Sequence, residues 1–368
     1  MTTRLIATYE ISADSPSQAL ERAHAVALEQ SIEMPPAAVQ QPFILSDVLG
    51  RVEDVAVIGE NRYRARIGLA MSTILGVNDA AQPMQFLNML FGNSSLHDWV
   101  RCVDVDLPPA LLKGFPGPRF GIDGIRALVK VPHGPITATA LKPQGLPAAD
   151  IATLAYQIAL GGIHVIKDDH GMANQAIAPF AKRVPAVAAA IRRANLETGL
   201  LVQYAPSLSG TPRELIAQVT LAHNEGCGLL LAAPMLMGLP TFFELLNEHI
   251  RVPVLGHPSF GGAARLDPAL LFGKLYRLFG IDAPIFVNHG GRFAYPPALC
   301  AAIGAAARAP WAHLKPALPV PAGGMTLARV PEMRAFYGED VMLLIGGDLL
   351  LAKENITAAA RAFVQSVR

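Results

Sequence analysis

From residue 136 onward the chain keeps one rhythm. A short β-branched or leucine-rich run ends in polar or glycine residues, and an alanine-rich stretch of helical spacing follows. The runs are ITATALKP (136–143), GIHVIKDD (162–169), LLVQYAP (200–206), GLLLAAP (228–234), VPVLGHP (252–258), APIFVNHG (283–290), ALPVPAGG (317–324) and VMLLIGGD (341–348). Helix-like stretches such as 176–195 and 268–279 lie between them. Near-continuous apolar strands alternating with helices predict a parallel sheet covered on both faces. Eight such units predict a closed (β/α)8 TIM barrel rather than an open doubly wound sheet. No GxGxxG follows the first strand, which counts against a dinucleotide-binding fold.

The first 105 residues follow another pattern. RLIATYEI alternates like a strand, PSQALERAHAVALEQ has helical spacing, and strand-like pieces recur near 52–58 and 62–70. This predicts a small N-terminal α+β (ferredoxin-like) domain over 1–105, a proline- and glycine-rich linker over 106–124, and the barrel over 125–368. A chain of 368 residues is long enough for such a division.

Composition narrows the function. Apolar residues make up 52% and charged residues 16%, so a large core with thin polar cover is expected, and burial in an oligomer with it. A net charge of +1 without a basic run gives no footing for nucleic acid or an anionic membrane. Cys102, Cys227 and Cys300 share no motif spacing, which points to a reducing cytoplasm rather than a disulfide frame or a structural zinc. The amino terminus lacks the pattern of a signal peptide, and no apolar stretch is long enough to span a bilayer.

Barrel enzymes draw their catalytic groups from the carboxyl ends of strands, which share one mouth. Those positions hold Lys142 on the first barrel strand, Lys167, Asp168, Asp169 and His170 on the second, and Gln203 and Tyr204 on the third. The fifth offers His257, the sixth Asn288 and His289, the seventh Gly323 and Gly324, and the eighth Gly346, Gly347 and Asp348. Bare backbone at the two glycine pairs lets N–H groups gather around a phosphate; two tight turns are the plainer reading. Strand alternation sends Lys167 and Asp169 to one face, and His170 begins the loop beside them. Asp and His suit a divalent ion. A lysine joins such a site only when its neutral amine has combined with carbon dioxide as a carbamate. An internal Lys–Asp ion pair without metal, or a surface turn, is the alternative. Lys142 at the mouth is a candidate base for a proton on the carbon alpha to a ketone, or a simple anion contact.

Taken together, LFGNSSL (90–96), TALKPQGL (139–146), LGGIHVIKDDHGMANQ (160–175), ETGLLVQY (197–204), NHGG (288–291), LPVPAGGM (318–325) and LLIGGD (343–348) resemble the large subunit of RuBisCO. The resemblance is closer to the RuBisCO-like proteins (form IV), and it covers most of the chain. It implies a dimer, or an assembly of dimers, in which each active site lies between one barrel and the partner's N-terminal domain. Glu29 would be the partner-domain contribution. It also implies Mg2+ held by a carbamylated Lys167 with Asp169 and His170, proton transfer by Lys142, substrate contacts from His257 and His289, and phosphate binding at Gly323, Gly324, Gly346 and Gly347.

The departures set the expected function. His170 stands where the family has its second metal-binding acid, Gln144 where it has a second lysine, Met89 where true carboxylases have an asparagine, and Pro258 where an arginine grips a second phosphate. The strand-six loop GGRFAYPP (290–297) has no lysine to polarise carbon dioxide, although Arg292 is a possible anion contact. Losing that charge removes the electrostatic stabilisation of carboxylation. The expected protein enolises a phosphorylated keto sugar as an isomerase of the 5-methylthioribulose 1-phosphate type and does not fix carbon. The alternatives are a decarboxylase of a phosphorylated branched 3-keto sugar acid, a 2,3-diketo-5-methylthiopentyl-1-phosphate enolase, a metal-independent enzyme using His170 and Lys167, or a sugar-phosphate sensor or scaffold.

Overall fold

A computed structural model describes residues 3–368 apart from 292 and 294. The chain forms two compact units, one of residues 1–116 with 260–271, the other of residues 117–259 with 272–368.

In the first unit, strands β1 (Arg4–Ser12), β2 (Arg51–Gly59), β3 (Arg62–Ala70) and β4 (Val100–Asp106) form an antiparallel sheet in the order β2-β3-β1-β4. The period of two in β1 puts Leu5, Ala7, Tyr9 and Ile11 out of water. The helix Pro16–Glu29 buries Ala19, Ala23, Val26 and Ala27, and the Ser15 side chain caps its start by accepting from the Gln18 N–H. Strand β4 was not expected: in VRCVDVD the alternation of apolar and charged residues breaks at Val103, where the ladder to β1 shifts register. The segment after residue 259 joins this unit through Cys102, whose N–H donates to Arg265 O at 3.2 Å and whose carbonyl accepts from Asp267 N–H at 2.9 Å.

The second unit is the expected barrel. Its strands are β5 (Ile136–Leu141), β6 (Val165–Asp168), β7 (Gln203–Ala205), β8 (Leu230–Ala232), β9 (Val254–Gly256), β10 (Ala283–Val287), β11 (Val320–Ala322) and β12 (Met342–Leu344). They run β7-β6-β5-β12-β11-β10-β9-β8, and a parallel bridge between Ser207 and Leu231 joins the two ends of that series. Each falls within one of the eight apolar runs. Ile136, Ala138, Val165, Leu231, Leu255, Ile285, Val320 and Met342 share one core cluster with Ile122, Ile125 and Val129 of the helix Gly121–Val129. That helix starts inside the stretch read as linker, where glycine and proline hid its spacing. Cys102, Cys227 and Cys300 are free and buried. Among the described residues no helix is long and apolar enough to cross a membrane.

The pleat of β6 sorts its charged residues. Val165 lies in the barrel core cluster, so Lys167, two residues on, turns to the same face. Asp168 turns the other way, toward the helix Phe180–Thr198. There Arg183 Nη2 meets Asp168 Oδ2 at 3.2 Å, both side chains fully buried. Tyr204 Oη donates to Asp168 Oδ1 at 2.8 Å and Ser207 N–H to Oδ2 at 3.0 Å. Arg183 also donates to the Ala173 and Ala178 carbonyls at 2.8 and 2.7 Å. Two buried charges are tolerated because their hydrogen-bonding capacity is so fully used. Arg183→Met strands the Asp168 charge in the protein interior, and urea unfolding is expected to show a loss of about 3–5 kcal/mol. A loss under about 1 kcal/mol would mean that the pair does not organise this strand.

Candidate active site

The register of β5 against β6 brings the first two candidate groups together. Leu141 pairs with Asp168 across the ladder, and the Asp169 N–H donates to Leu141 O at 3.2 Å. The next residue of each strand therefore meets the other, and Lys142 Nζ lies 2.6 Å from Asp169 Oδ1. His170 Nδ1 lies 3.4 Å from the same oxygen. The His170 ring stacks on His257, which follows β9, with centroids 4.0 Å apart and planes 11° from parallel. Strands β7 and β8 separate β6 from β9 in the sheet, so this stack spans part of the barrel mouth.

Burial and charge set the protonation of this group. Lys167 Nζ is buried, with Asp168 O at 3.0 Å as its acceptor, and desolvation lowers its pKa to about 8. Burial works against ionising Asp169, but hydrogen bonds from His170 and Lys142 and the charges of Lys142 and Lys167 outweigh it and hold the carboxyl well below its ordinary range. His257 is pushed down to about 2 by burial and by the positive charges of Lys167 and His170, so it is neutral at any working pH. The Ser259 N–H donates to His257 Nδ1 at 3.2 Å, which leaves the ring proton on Nε2.

A second group lies past β10 and β11. His289 Nδ1 is 3.5 Å from Arg329 Nη2 and its ring packs on Phe336 at 4.7 Å, while its buried Nε2 has no partner among the described residues. A buried ring nitrogen left unpaired is the mark of a place where a ligand group completes the bonding. Arg329 Nη1 donates to the His289 and Gly324 carbonyls at 3.1 and 3.0 Å, and its other edge pairs with Glu332. Arg329 thus ties the loop after β10 to the loop after β11. Gly324 has φ +66°, and a Cβ there would fall 2.4 Å from Gly291 Cα, so the loops touch through bare backbone. Gly323 and Gly347 face open space, and a Cβ at Gly346 would come 4.0 Å from Lys142 Cε.

Not every strand-end residue serves the mouth. Tyr204 and Asp168 bond to each other on the outer side of the strands, and Asn288 is buried against Tyr337 Oη at 2.7 Å. Arg292 lies outside the described residues. Glu29 belongs to the first unit, where Asn93 Nδ2 donates to Glu29 Oε1 at 2.9 Å and to Glu33 Oε1 at 2.6 Å. The sequence reading missed Arg329 and Asn93, since neither ends a barrel strand. The arginine five residues past the Gly323–Gly324 pair and the asparagine inside FGNSS were the available signals.

The residues suit a divalent cation under one condition. Among the described residues no three His, Cys, Asp or Glu side chains form a ready cluster. A lysine with a pKa near 8 has a neutral fraction at neutral pH, and a neutral amine is what adds carbon dioxide. A carbamate at Lys167 would add two oxygens sharing one negative charge to the Asp169 carboxylate, an oxygen set suited to a hard ion such as magnesium, with the His170 imidazole a softer donor beside it.

This fold, with its cationic mouth, defines a (β/α)8-barrel protein equipped to stabilise an enolate-like anion. Comparison with known proteins makes it specific. The catalytic domain of the ribulose bisphosphate carboxylase large chain matches residues 121–257. The chain is 48% identical over 367 residues to ribulose bisphosphate carboxylase-like protein 1 of Rhodopseudomonas palustris, covering 100% of this chain and 98% of that protein. It is also 48% identical over 368 residues to the 5-methylthioribulose-1-phosphate isomerase of Rhodospirillum rubrum, covering 100% and 97%. A crystal structure of a Rubisco-like protein from Rhodopseudomonas palustris superposes with a TM-score of 0.91 at 45% identity, covering 100% of this chain and 98% of that one. The chain belongs to the RuBisCO large-chain family, among its RuBisCO-like proteins.

The lowered pKa of Lys167 gives a prediction with a sign. Its neutral fraction grows as pH rises through about 8, so 13C-bicarbonate is expected to give a carbamate NMR signal that strengthens over that interval. The signal should vanish in Lys167→Met. A signal that persists in the variant, or that weakens with rising pH, would show that another amine forms it.

Proposed function

We propose that the chain is an isomerase of phosphorylated keto sugars, of the 5-methylthioribulose 1-phosphate type, working through an enediolate. The observation that carries this reading is the Lys142–Asp169 pair at 2.6 Å beside a second, buried lysine. The Lys142 side chain thus stands where a carbonyl oxygen would gain negative charge, with Lys167 beside it as the amine that a carbamate would convert into a metal ligand.

Lys142 is the general base. It takes a proton from the carbon next to the carbonyl, the C–H electron pair forms the enediol double bond, and the carbonyl oxygen takes the charge. The hydroxyl proton of the neighbouring carbon passes to the former carbonyl oxygen, and returning the carbon-bound proton to the former carbonyl carbon then moves the carbonyl by one position. Lys142 acts as a base only in its neutral form, after it has left Asp169 and given a proton to solvent. His257 carries its ring proton on Nε2 and donates to a substrate oxygen. His289 Nε2 gains from a substrate hydroxyl or phosphate the partner it lacks among the described residues. Gly323, Gly324, Gly346 and Gly347 offer backbone N–H groups to the phosphate. Lys167, Asp169 and His170 would hold Mg2+, which supplies positive charge for the enediolate oxygen when bound.

Carbon fixation does not fit this mouth. Pro258 removes one phosphate clamp, and residues 290–297 contain no lysine. We further infer a homodimer, in which Glu29 is lent to the partner's mouth, and a cytoplasmic setting for three reduced thiols.

Phosphorus NMR with 5-methylthioribulose 1-phosphate tests the function directly. A new ketose phosphate resonance is expected, with no carboxylated product from ribulose 1,5-bisphosphate. Failure to convert the first substrate, or carboxylation of the second, overturns the assignment. Chelation of divalent ions is expected to abolish turnover, and full turnover without metal would return Lys167 and His170 to acid–base roles. Mixing Glu29→Gln with Lys142→Met protein is expected to restore part of the activity that each lacks alone, because a mixed dimer holds one intact site. No recovery in verified mixed dimers would leave Glu29 with no role at a partner's mouth.

A further inference from the structure

A cavity of about 710 Å3 opens at the amino-terminal end of the barrel strands, lined by the loops before β5, β6 and β7 and by the helix Ile356–Ser366. Its volume is in the range of small-molecule sites. The loop residue His164 lines it, and Asp169 lies five positions further on, roughly 16 Å along an extended chain. The cavity is therefore distinct from the mouth.

Its chemistry is one-sided. Lys130, Arg361 and Arg368 line it, and no Asp or Glu does among the described residues. The backbone oxygen of Arg368 accepts from Arg334 Nη1 at 3.5 Å. Lys130 is held at φ +53° at the end of the helix Gly121–Val129, a conformation that costs a non-glycine residue energy and fixes where its side chain starts. His164 adds a neutral donor. The Thr137 N–H donates to His164 Nδ1 at 3.0 Å, so Nδ1 is an acceptor and Nε2 carries the proton. Burial, helped by the Arg368 charge, keeps that ring neutral with a pKa near 4. No protein acceptor meets Nε2–H among the described residues. Val131, Leu160 and Val364 supply an aliphatic wall. Gly199, with φ +70° and open space where its Cβ would lie, leaves the rim uncrowded.

We propose that this cavity is a second ligand site, separate from the mouth, for a small organic anion with an aliphatic body. Its phosphate or carboxylate meets Lys130, Arg361, Arg368 and the His164 Nε2–H, and its hydrocarbon part lies on Val131, Leu160 and Val364. Charge complementarity selects this occupant. A neutral apolar ligand would leave three cations unpaired, and inorganic phosphate alone would leave the wall exposed.

Histidine side-chain NMR on the full-length protein tests the site, with hexyl phosphate as probe and inorganic phosphate, hexanol and hexyltrimethylammonium as controls. His164→Gln identifies the His164 resonances, and those of His170, His257 and His289 report the mouth separately. Hexyl phosphate is expected to shift the His164 resonances in a saturable way and more tightly than inorganic phosphate, with neither hexanol nor the cation competing. Lys130→Gln with Arg361→Gln should weaken that response about tenfold or more. Should the double variant fold poorly, added potassium chloride on the unaltered protein should weaken binding in the same direction. Shifts confined to the mouth histidines overturn the proposal. So does an equal response to hexanol, which describes an apolar groove. A change of sedimentation mass in a folded double variant also overturns it, because another copy of the chain would then cover this face.

Discussion

The buried pair of Asp168 and Arg183 fixes the outward side of β6, and the site follows from that constraint. A strand alternates, so once Asp168 is tied to the helix outside, Lys167 and Asp169 have no choice but to face the barrel axis and its mouth. Parallel pairing with β5 then sets Lys142 beside Asp169. A slip of one residue would exchange the roles, burying Lys167 among the outer helices and sending Asp168 to the mouth. The outward ion pair and its bonds to Tyr204 and Ser207 thus guard the register on which the chemistry rests.

The mouth collects positive charge in a chain that has little charge of either sign. Lys142 and Lys167 lie next to a single ionised carboxylate, and the low dielectric around Lys167 shows in its lowered pKa. Such a group is poised to receive negative charge from a substrate. The stacked His170 and His257 carry this polar surface across the mouth. His289, Arg329 and the two touching glycine loops form a separate part, whose His289 Nε2 has no partner among the described residues.

Much of this was legible in the sequence, for a physical reason. Parallel barrel strands are buried on both faces, so β5–β12 read as apolar runs, and polar residues at their ends stand out against them. Lys142, Asp169, His170 and His257, which the fold brings together, stand out in that way. What escaped lies where this contrast is lost. Strand β4 breaks its alternation at Val103, and the helix Gly121–Val129 begins among glycines. Residues 260–271 join the first unit through bonds to Cys102 and Asp98, which no local pattern announces. Arg329 works through two carbonyl oxygens, and Asn93 through two glutamates brought near by the fold. Tyr204 and Asn288 ended strands as catalytic groups do, yet they serve packing, since adjacent strand residues face opposite ways.

The central claim is that Lys142 removes a proton from carbon, and solvent exchange tests it most directly. In deuterium oxide the unaltered protein should place deuterium on the carbon next to the carbonyl of 5-methylthioribulose 1-phosphate. A folded Lys142→Met protein should do so about 10²–10⁴-fold more slowly. Exchange at an undiminished rate in the variant would contradict the account.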